Sequence, residues 1–354
     1  MGFGIGIGNG LSIVAARSYG AQDEDLLKKT VAGSLVIGLC ASFVITTAGF
    51  FGLRPLLQLL DTPAEILEDA YRYIIVIDLG VLVMFLYNLC AGLLRAIGNS
   101  VMPLVFLLIS SVLNVGLDLL FILKFHWGVA GAAAATVSAQ LISTVGCFCY
   151  AFAHYPNIRL KKEDWHITMH DVRRHVSRGI PLGLQFSVLA VGIIVMQGGV
   201  VQFDMLDGRM VSNAAQNGFG AANKLNSLVM TPMNALGTAM TSFTAQNLGA
   251  GRYDRIKKGT LQGMALMGVI MALAVGIGML LTIDQMYLHV FLSADKVTEE
   301  TIRFGNSFLY VDFALYPFLG GIFLFRNCAQ GIGQSPFVLG AGAAELLARI
   351  AVCS

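Results

Sequence analysis

Formal charge is scarce in this chain. Charged residues are 12% of its 354 positions, about half the roughly 25% of soluble domains. Hydrophobic residues make up 56%, so water alone could not solvate the folded surface, which excludes an ordinary soluble domain. A CxxC pair is also missing. The six cysteines (Cys40, Cys90, Cys147, Cys149, Cys328 and Cys353) lie in or beside apolar runs and read as small apolar fillers, not disulfides or metal ligands. No basic residue precedes Arg17, so a cleaved signal peptide is not expected. The alternating Gly2, Gly4, Gly6, Gly8 and Gly10 follow no strand and do not satisfy GxGxxG, which excludes a phosphate-cradling loop. Small residues at such spacing let membrane helices approach closely. Neither an enzyme, a cofactor, a resident metal nor a nucleic-acid partner is expected.

Long uncharged runs are abundant. Eight complete ones span Val31–Leu53, Tyr73–Leu94, Val101–Leu123, Val129–Ala153, Gly179–Phe203, Leu225–Leu248, Gly259–Ile283 and Phe304–Phe325. Each exceeds the ~20 residues that cross a hydrocarbon core. Partial runs at Gly2–Ala16 and Pro336–Ser354 flank them. Inside the complete runs the only formal charges are Asp78, Asp118 and Asp312. A carboxylate there costs roughly 2.5–3.5 kcal/mol on insertion scales, so such a residue faces an ion pathway or a polar partner. The combination implies an all-α polytopic membrane protein built for transport.

Alternating sides along these ten runs sorts the 23 basic residues 15 to 8. The richer side, which holds Lys28, Lys29, Lys161, Arg174, Lys257 and Lys258, is expected to be cytoplasmic. On that orientation the first run would start outside, with Met1 exposed there. The chain also repeats itself. Tyr19-Gly20-Ala21 with Asp25…Lys28-Lys29 recurs as Leu248-Gly249-Ala250 with Asp254…Lys257-Lys258, and Ala96-Ile97-Gly98-Asn99-Ser100 recurs as Gly331-Ile332-Gly333-Gln334-Ser335. Both copies of each motif fall on one side, so the repeat is parallel, about an axis along the membrane normal. Two pseudo-symmetric helical lobes of six spans each are expected, about ten of the twelve being present, with one missing at each end. The expected divisions are an N-terminal lobe at 1–153, a cytoplasmic linker with a short amphipathic helix at 154–178, and a C-terminal lobe at 179–354. His166 and His170, with His175 nearby, read as a solvated linker face. Gly20 and Gly249 read as left-handed helix ends, with Asp25 and Asp254 capping the helices that follow. Ser335-Pro336 reads as an N-cap and first helical residue.

Asp78 and Asp312 stand at nearly equivalent places between the repeated motifs, which favours a shared functional origin. Asn114 and Asp118 are four apart and share a helix face; Asn114 could donate to the carboxylate, or both could hold a cation. Asn88, Gln140, Gln185, Gln197 and Gln202 could line a cavity or make helix–helix hydrogen bonds. The candidate ion-coupling and cavity residues are Asp78, Asp118, Asp312, Asn114, Gln185 and Asn88.

These residues together resemble the multidrug and toxic compound extrusion (MATE) family, in its DinF-like branch. The most specific piece is Leu113-Asn114-Val115-Gly116-Leu117-Asp118-Leu119-Leu120-Phe121-Ile122 with Gly128-Val129-Ala130-Gly131-Ala132-Ala133. Leu94 to Ser100 with Pro103, Gln330 to Ser335 and Glu345-Leu346-Leu347-Ala348-Arg349 extend it. The resemblance implies a V-shaped pair of six-helix lobes in a cell (inner) membrane, monomeric, exporting amphipathic, often cationic compounds by alternating access in exchange for H+ or Na+. On that plan the chain begins within the second helix and stops within the eleventh, leaving out the first helix and its coupling aspartate. The seventh helix offers glutamines where some members keep an acid, and Asp312 falls on the tenth. Two rivals are a lipid-linked oligosaccharide flippase of the same superfamily, for which a cationic central cavity is expected, and a non-transporting truncated membrane protein.

The orientation carries a direct test. Single cysteines placed in the Asp25–Lys29 turn, the Asp254–Lys258 turn and the linker around Lys161–Arg174 are expected to resist impermeant thiol reagents in intact cells. Ready labelling of all three from outside would invert the orientation.

Overall fold

The structure, a computed structural model, describes residues 2–59, 64–206, 209–210 and 212–353. It is helical almost throughout. In order come α1 (Gly2–Gly20), α2 (Glu24–Leu59), α3 (Ala64–Leu79), α4 (Val81–Ala96), α5 (Val101–Asp118), α6 (Gly128–His154), α7 (Met169–Gln202), α8 (Ala214–Gly249), α9 (Tyr253–Thr282), α10 (Met286–Phe291), α11 (Glu299–Ile332) and α12 (Ser335–Cys353). The strands among the described residues are an antiparallel pair of two-residue segments, β1 (Met205–Leu206) and β2 (Arg209–Met210). Met1 and the side chain of Ser335 lie outside the described residues. The expected all-α class is therefore observed.

Among the described residues six helices are long and apolar enough to cross a membrane, or seven if one bent pair is counted as a span. That pair holds the expected run Tyr73–Leu94 and corrects it in one respect: it is two helices, α3 and α4, which meet at Gly80 with a 45° bend. A second correction falls on Leu225–Leu248. It lies within α8, a single 36-residue helix, but Asn226, Thr231, Asn234, Thr238 and Thr241 keep it below the apolarity of the others. At the other extreme, only 6% of the most apolar window in α5 and the π-helical turn after it is buried inside the protein. Side chains such as Val112 and Leu123 are mostly exposed, which suits a lipid-facing wall.

The chain divides into two compact units: Met1–Phe186 with Ala245–Gly251, and Ser187–Thr244 with Arg252–Ser354. In the first, α1 lies against α4 and against the first half of α7. A Cβ on Gly6 would come 2.7 Å from the Gly183 Cα, and one on Gly10 would come 2.7 Å from the Gly179 Cα. Two glycines four apart thus cross two glycines four apart, backbone to backbone, around a core of Leu11, Leu27, Leu89, Leu94 and Leu182. Such small-residue crossings replace the hydrophobic drive that lipid removes.

Gly20 and Gly249 do different work from that expected. The left-handed residues after these helices are Gln22 (φ 58°) and Gly251 (φ 68°). A Cβ on Gly20 would instead drive into the Gln246 carbonyl, and one on Gly249 into the Arg17 carbonyl. Gly20 matches Gly249 in the repeat, and Arg17 matches Gln246, so the contact is reciprocal. The caps also differ from expectation. Asp23 Oδ1 accepts the Leu26 N–H at 2.9 Å at the start of α2, leaving Asp25 in the first turn. α9 has no side-chain cap, and Asp254 sits in its first turn, where an acid favours the helix dipole. Elsewhere the repeat is faithful. Gly98 (φ 95°) and Gly333 (φ 87°) both end helices in the left-handed region. Each is closed by the same pair of bonds: Gly98 N–H to Arg95 O at 3.1 Å with Asn99 N–H to Leu94 O at 2.8 Å, and Gly333 N–H to Gln330 O with Gln334 N–H to Ala329 O, both at 2.9 Å.

The segment after α6 forms two 3-10 turns, Pro156–Ile158 and Lys162–Trp165, packed on α2. No separate amphipathic helix follows. Residues Met169–Arg178 open α7 without a break, capped by Thr168 and Asp171, whose side chains each accept the other's backbone N–H. His175 is buried, 1% exposed, not on a solvated face. Its Nδ1 lies 2.6 Å from the Asp171 carbonyl and its Nε2 3.2 Å from the Thr30 carbonyl of α2. In the second unit, buried Asp204 starts α8 by accepting the Ala215 and Gln216 N–H groups at 2.9 Å each. Burial alone would raise its carboxyl, but those bonds and the Ser212 hydroxyl outweigh burial and hold it below the usual carboxylate range.

The reciprocal glycine crossing predicts a stability loss. Gly20→Val and Gly249→Val are each expected to destabilise by roughly 1–3 kcal/mol through overpacking, read as a lower unfolding temperature in detergent. The double variant should lose less than the sum, because both act at one crossing. Wild-type stability in both single variants would mean that the two chains separate there without cost.

Candidate functional site

A cavity of about 800 Å3 opens within the second unit, between the later part of α7, the start of α8, α11 and α12. Its walls are mainly apolar: Leu189, Ile193 and Met196 from α7, Met230 from α8, and Phe308, Leu319 and Phe323 from α11. The Cβ positions of Ala341 and Ala344 on α12 leave the space free. Into this lining project Asp312, Arg326, Glu345, Arg349 and the amides of Asn223 and Asn226. Helical spacing explains the gathering. Phe308 and Asp312 are four apart on α11, as are Leu319 and Phe323, and Glu345 and Arg349 are four apart on α12.

The charges are partly paired. Glu345 Oε1 accepts from Arg349 Nη2 at 2.7 Å, and Arg326 Nη1 lies 3.8 Å from Glu345 Oε2. The Arg326 guanidinium also stands 4.9 Å from the centre of the Phe323 ring, a cation–π distance. Gly192 on α7 makes room for the Arg349 stem: a Cβ there would meet Arg349 Cδ at 2.8 Å. Tyr316 donates to Asn226 Oδ1 at 2.5 Å and fixes that amide. Two polar atoms are left buried without a hydrogen-bond partner: Asp312 Oδ2 and Arg326 Nε. An unpartnered buried acceptor and an unpartnered buried donor thus belong to two residues that line one apolar cavity, and buried polar atoms left over in this way call for a partner.

The other sequence candidates are dispersed through the first unit. Asp78 lies at the end of α3, two residues before the bend, with its carboxylate packed onto Gly49 of α2. Its Oδ2 is also buried without a hydrogen-bond partner, while its carbonyl accepts from the Thr46 hydroxyl at 3.1 Å. Asp118 ends α5 where a π-helical turn, Leu119–Lys124, begins. Asn114 does not donate to it: its Nδ2 reaches the Thr136 hydroxyl of α6 at 3.3 Å, and Asp118 Oδ1 is buried unpaired. Asn88 donates to Met84 O in its own helix at 2.7 Å. Gln185 is buried, 2% exposed. Of the six candidates Asp312 alone borders the 800 Å3 cavity. Arg326, Glu345, Arg349, Asn223 and Asn226 were not among them. The signal for two of these was legible, since Glu345 and Arg349 form an i, i+4 ion pair inside an otherwise apolar run.

Helices of this length and apolarity, with charged side chains turned toward an internal cavity, define a multi-pass membrane protein with a polar site inside its helical bundle. Residues 1–120 and 190–354 match the family model described as MatE, and the chain belongs to that family. The two matched stretches carry the two copies of the repeat. The chain is 28% identical over 341 residues to YpnP, a probable multidrug resistance protein of Bacillus subtilis (strain 168), covering 96% of this chain and 73% of that one. It is 28% identical over 329 residues to YoeA, another probable multidrug resistance protein of the same organism, covering 90% of this chain and 67% of that one. In fold it is similar to the outward-facing conformation of a multidrug resistance MATE family transporter of the MOP superfamily. That match has a TM-score of 0.86 at 20% identity over 96% of this chain and 73% of that one. The family is one of transporters, not enzymes.

The ion-pair network carries its own test. Removing one partner of a buried pair costs about 3–5 kcal/mol, but the Glu345 side chain is 37% exposed, so roughly 1–3 kcal/mol is expected for Glu345→Gln. The double change Glu345→Gln/Arg349→Met should recover part of the loss in thermal unfolding, because it removes a guanidinium left without its partner. An additive loss would mean that the two residues are independent.

Proposed function

We propose that this chain is the membrane body of a secondary active antiporter, exporting small amphipathic, often cationic molecules in exchange for H+ or Na+ by alternating access. The observation that carries this reading is Asp312: a residue that lines an apolar cavity of about 800 Å3 and whose carboxylate has one buried oxygen without a hydrogen-bond partner. A cationic amphiphile would place its charge at Asp312 and its apolar body against Phe308, Met196 and Ile193. An acceptor on it would meet the Arg326 guanidinium. Proton or sodium occupancy of the same carboxylate would compete with that cation, which couples the two fluxes. Ion binding shifts an outward–inward equilibrium only through a difference in affinity between the two states, and a carboxylate wet in one state and occluded in the other supplies one.

On this reading 1–153 and 179–354 are the two lobes, 154–178 is the cytoplasmic linker, and the transporter is a monomer. Asp78 is the equivalent of Asp312 in the first lobe but stands beside a bend that unbroken α11 lacks. The two are therefore unequal: Asp312 dominates coupling, and Asp78 shapes the first lobe. Asn88 contributes polarity to that lobe and Gln185 to the start of the second, and Asp118 with Asn114 forms a secondary ion site or a structural polar cluster.

One observation favours the flippase reading: Arg326 and Arg349 put two guanidinium groups at the cavity, where the sequence had set the basic residues outside the complete runs. Glu345 lies between both, and with Asp312 it balances them, so the cavity is not net cationic by formal charge. A lipid-linked pyrophosphate would demand a net positive one.

Transport against pH in proteoliposomes decides the point, with a fluorescent amphipathic cation as substrate. Asp312→Asn is expected to lower exchange about tenfold or more, a barrier change of about 1.4 kcal/mol, and to flatten the pH dependence. Asp78→Asn should keep a pH-dependent profile. Unchanged profiles in both variants would remove these residues from the coupling mechanism.

A further inference from the structure

The opening turns of α7 carry a second polar site that the transport reading does not use. His170, Arg173 with Arg174, and Ser177 with Arg178 recur three and four residues apart, so all five lie on one helix face. Together with Arg17 at the end of α1 they line a cavity of about 680 Å3 in the first unit. His175, on another face of the same turns, is buried against α2 and anchors the helix so that its arginine face is held toward the cavity.

The charge of this cavity is not balanced by the chain. Among the described residues none of Arg17, Arg173, Arg174 and Arg178 has an ion-pair partner, whereas Lys28, Arg54, Arg72, Arg326 and Arg349 each face a carboxylate. Two acids are near, and both are engaged. Asp171 accepts from the Thr168 backbone and hydroxyl at 3.0 and 2.6 Å, and Asp23 accepts the Leu26 N–H. Arg17 stands close enough to repel both Arg174 and Arg178. Basic residues that merely flank a span point apart into water; these converge from two helices on one concavity, which costs free energy unless an anion fills it.

We infer that this arginine-lined cavity holds the phosphate group of an anionic ligand, with the planar guanidinium forks as its donors. Its depth favours a lipid headgroup. Arg178 immediately precedes the apolar run that begins at Gly179, and Arg17 immediately follows the run that ends at Ala16. Both therefore stand at the boundary where headgroup phosphates lie, and basic pockets between helices at that level recognise anionic lipids. Guanidinium groups match phosphate oxygens two at a time, and the Ser177 hydroxyl adds a further donor. The inference rests on the membrane fold and is independent of which solute the protein transports.

Native mass spectrometry and thermal unfolding of the whole chain in detergent test it, with phosphatidylglycerol, phosphatidylcholine and inorganic phosphate as probes. The unaltered chain is expected to retain phosphatidylglycerol in preference to phosphatidylcholine and to unfold at a higher temperature with it. Arg174→Gln/Arg178→Gln should weaken that retention about tenfold or more, which corresponds to about 1.4 kcal/mol. Arg174→Lys/Arg178→Lys, which keeps the charge and loses the forks, should fall between. Arg252→Gln/Arg255→Gln, at the start of α9, should retain the lipid. Stabilisation by phosphatidylglycerol that inorganic phosphate neither mimics nor displaces supports a lipid site, while equal stabilisation by inorganic phosphate alone supports the same site for a soluble phosphate. Undiminished retention by the Arg174→Gln/Arg178→Gln variant, or equal loss in the two glutamine variants, overturns the inference.

Discussion

Gly6 and Gly10 lie on Gly183 and Gly179, and Gly20 and Gly249 lie on each other's helices, so backbone touches backbone where most proteins would place side chains. In a hydrocarbon surround, side-chain burial gains little, because lipid is as apolar as the protein interior. Close packing and internal hydrogen bonds must supply the cohesion instead. The rest of the first unit depends on these crossings. They set α1 against α7, hold the α7 arginine face beside Arg17, and leave α5 free to face lipid. The cost of a side chain at any of them is steric and immediate, which is why Gly20 and Gly249 do not serve as ordinary helix ends.

The same absence of water governs the polar groups. Several buried polar groups have found partners on other elements. Glu345 lies between Arg349 and Arg326, Asn226 is fixed by Tyr316, and Asp204 is satisfied by the first turn of α8. Asp312 Oδ2 and Arg326 Nε are left over, and both belong to residues of one cavity. Unsatisfied atoms in an apolar interior are expensive, and their presence on opposite signs of charge in one pocket is the property a binding site for an amphipathic, polar-headed solute requires. The arginine cavity on α7 obeys the same logic at the membrane boundary, where the missing partner can come from the bilayer itself.

Repetition did not produce equivalence. The Gly98 and Gly333 turns close with the same hydrogen bonds, and the Gly20 and Gly249 contacts are reciprocal, so the two halves are built alike at their helix ends. Between those anchors they diverge. The segment holding Asp78 bends at Gly80, while α11 runs unbroken past Asp312. Asp78 is closed in against Gly49; Asp312 borders open space. A repeat fixes where a carboxylate falls along a helix, but the neighbours on other helices decide what it faces.

The membrane class, the helical repeat and the rarity of buried charge were all legible in the linear chain, because run length and charge exclusion are local properties that the bilayer imposes on each segment separately. The positions of Asp78, Asp118 and Asp312 followed from the same rule. Which of them would share a cavity did not, since that depends on side chains brought from four helices up to 160 positions apart. The sequence likewise placed Asn114 on the same face as Asp118, yet Thr136 of α6 took its hydrogen bond. It placed His175 in a charged linker, yet Thr30 of α2 buried it. Periodicity determined the faces of the helices; only tertiary packing decided what each face would meet, because the energy of a polar group in a membrane depends on partners that no neighbouring residue in the sequence can supply.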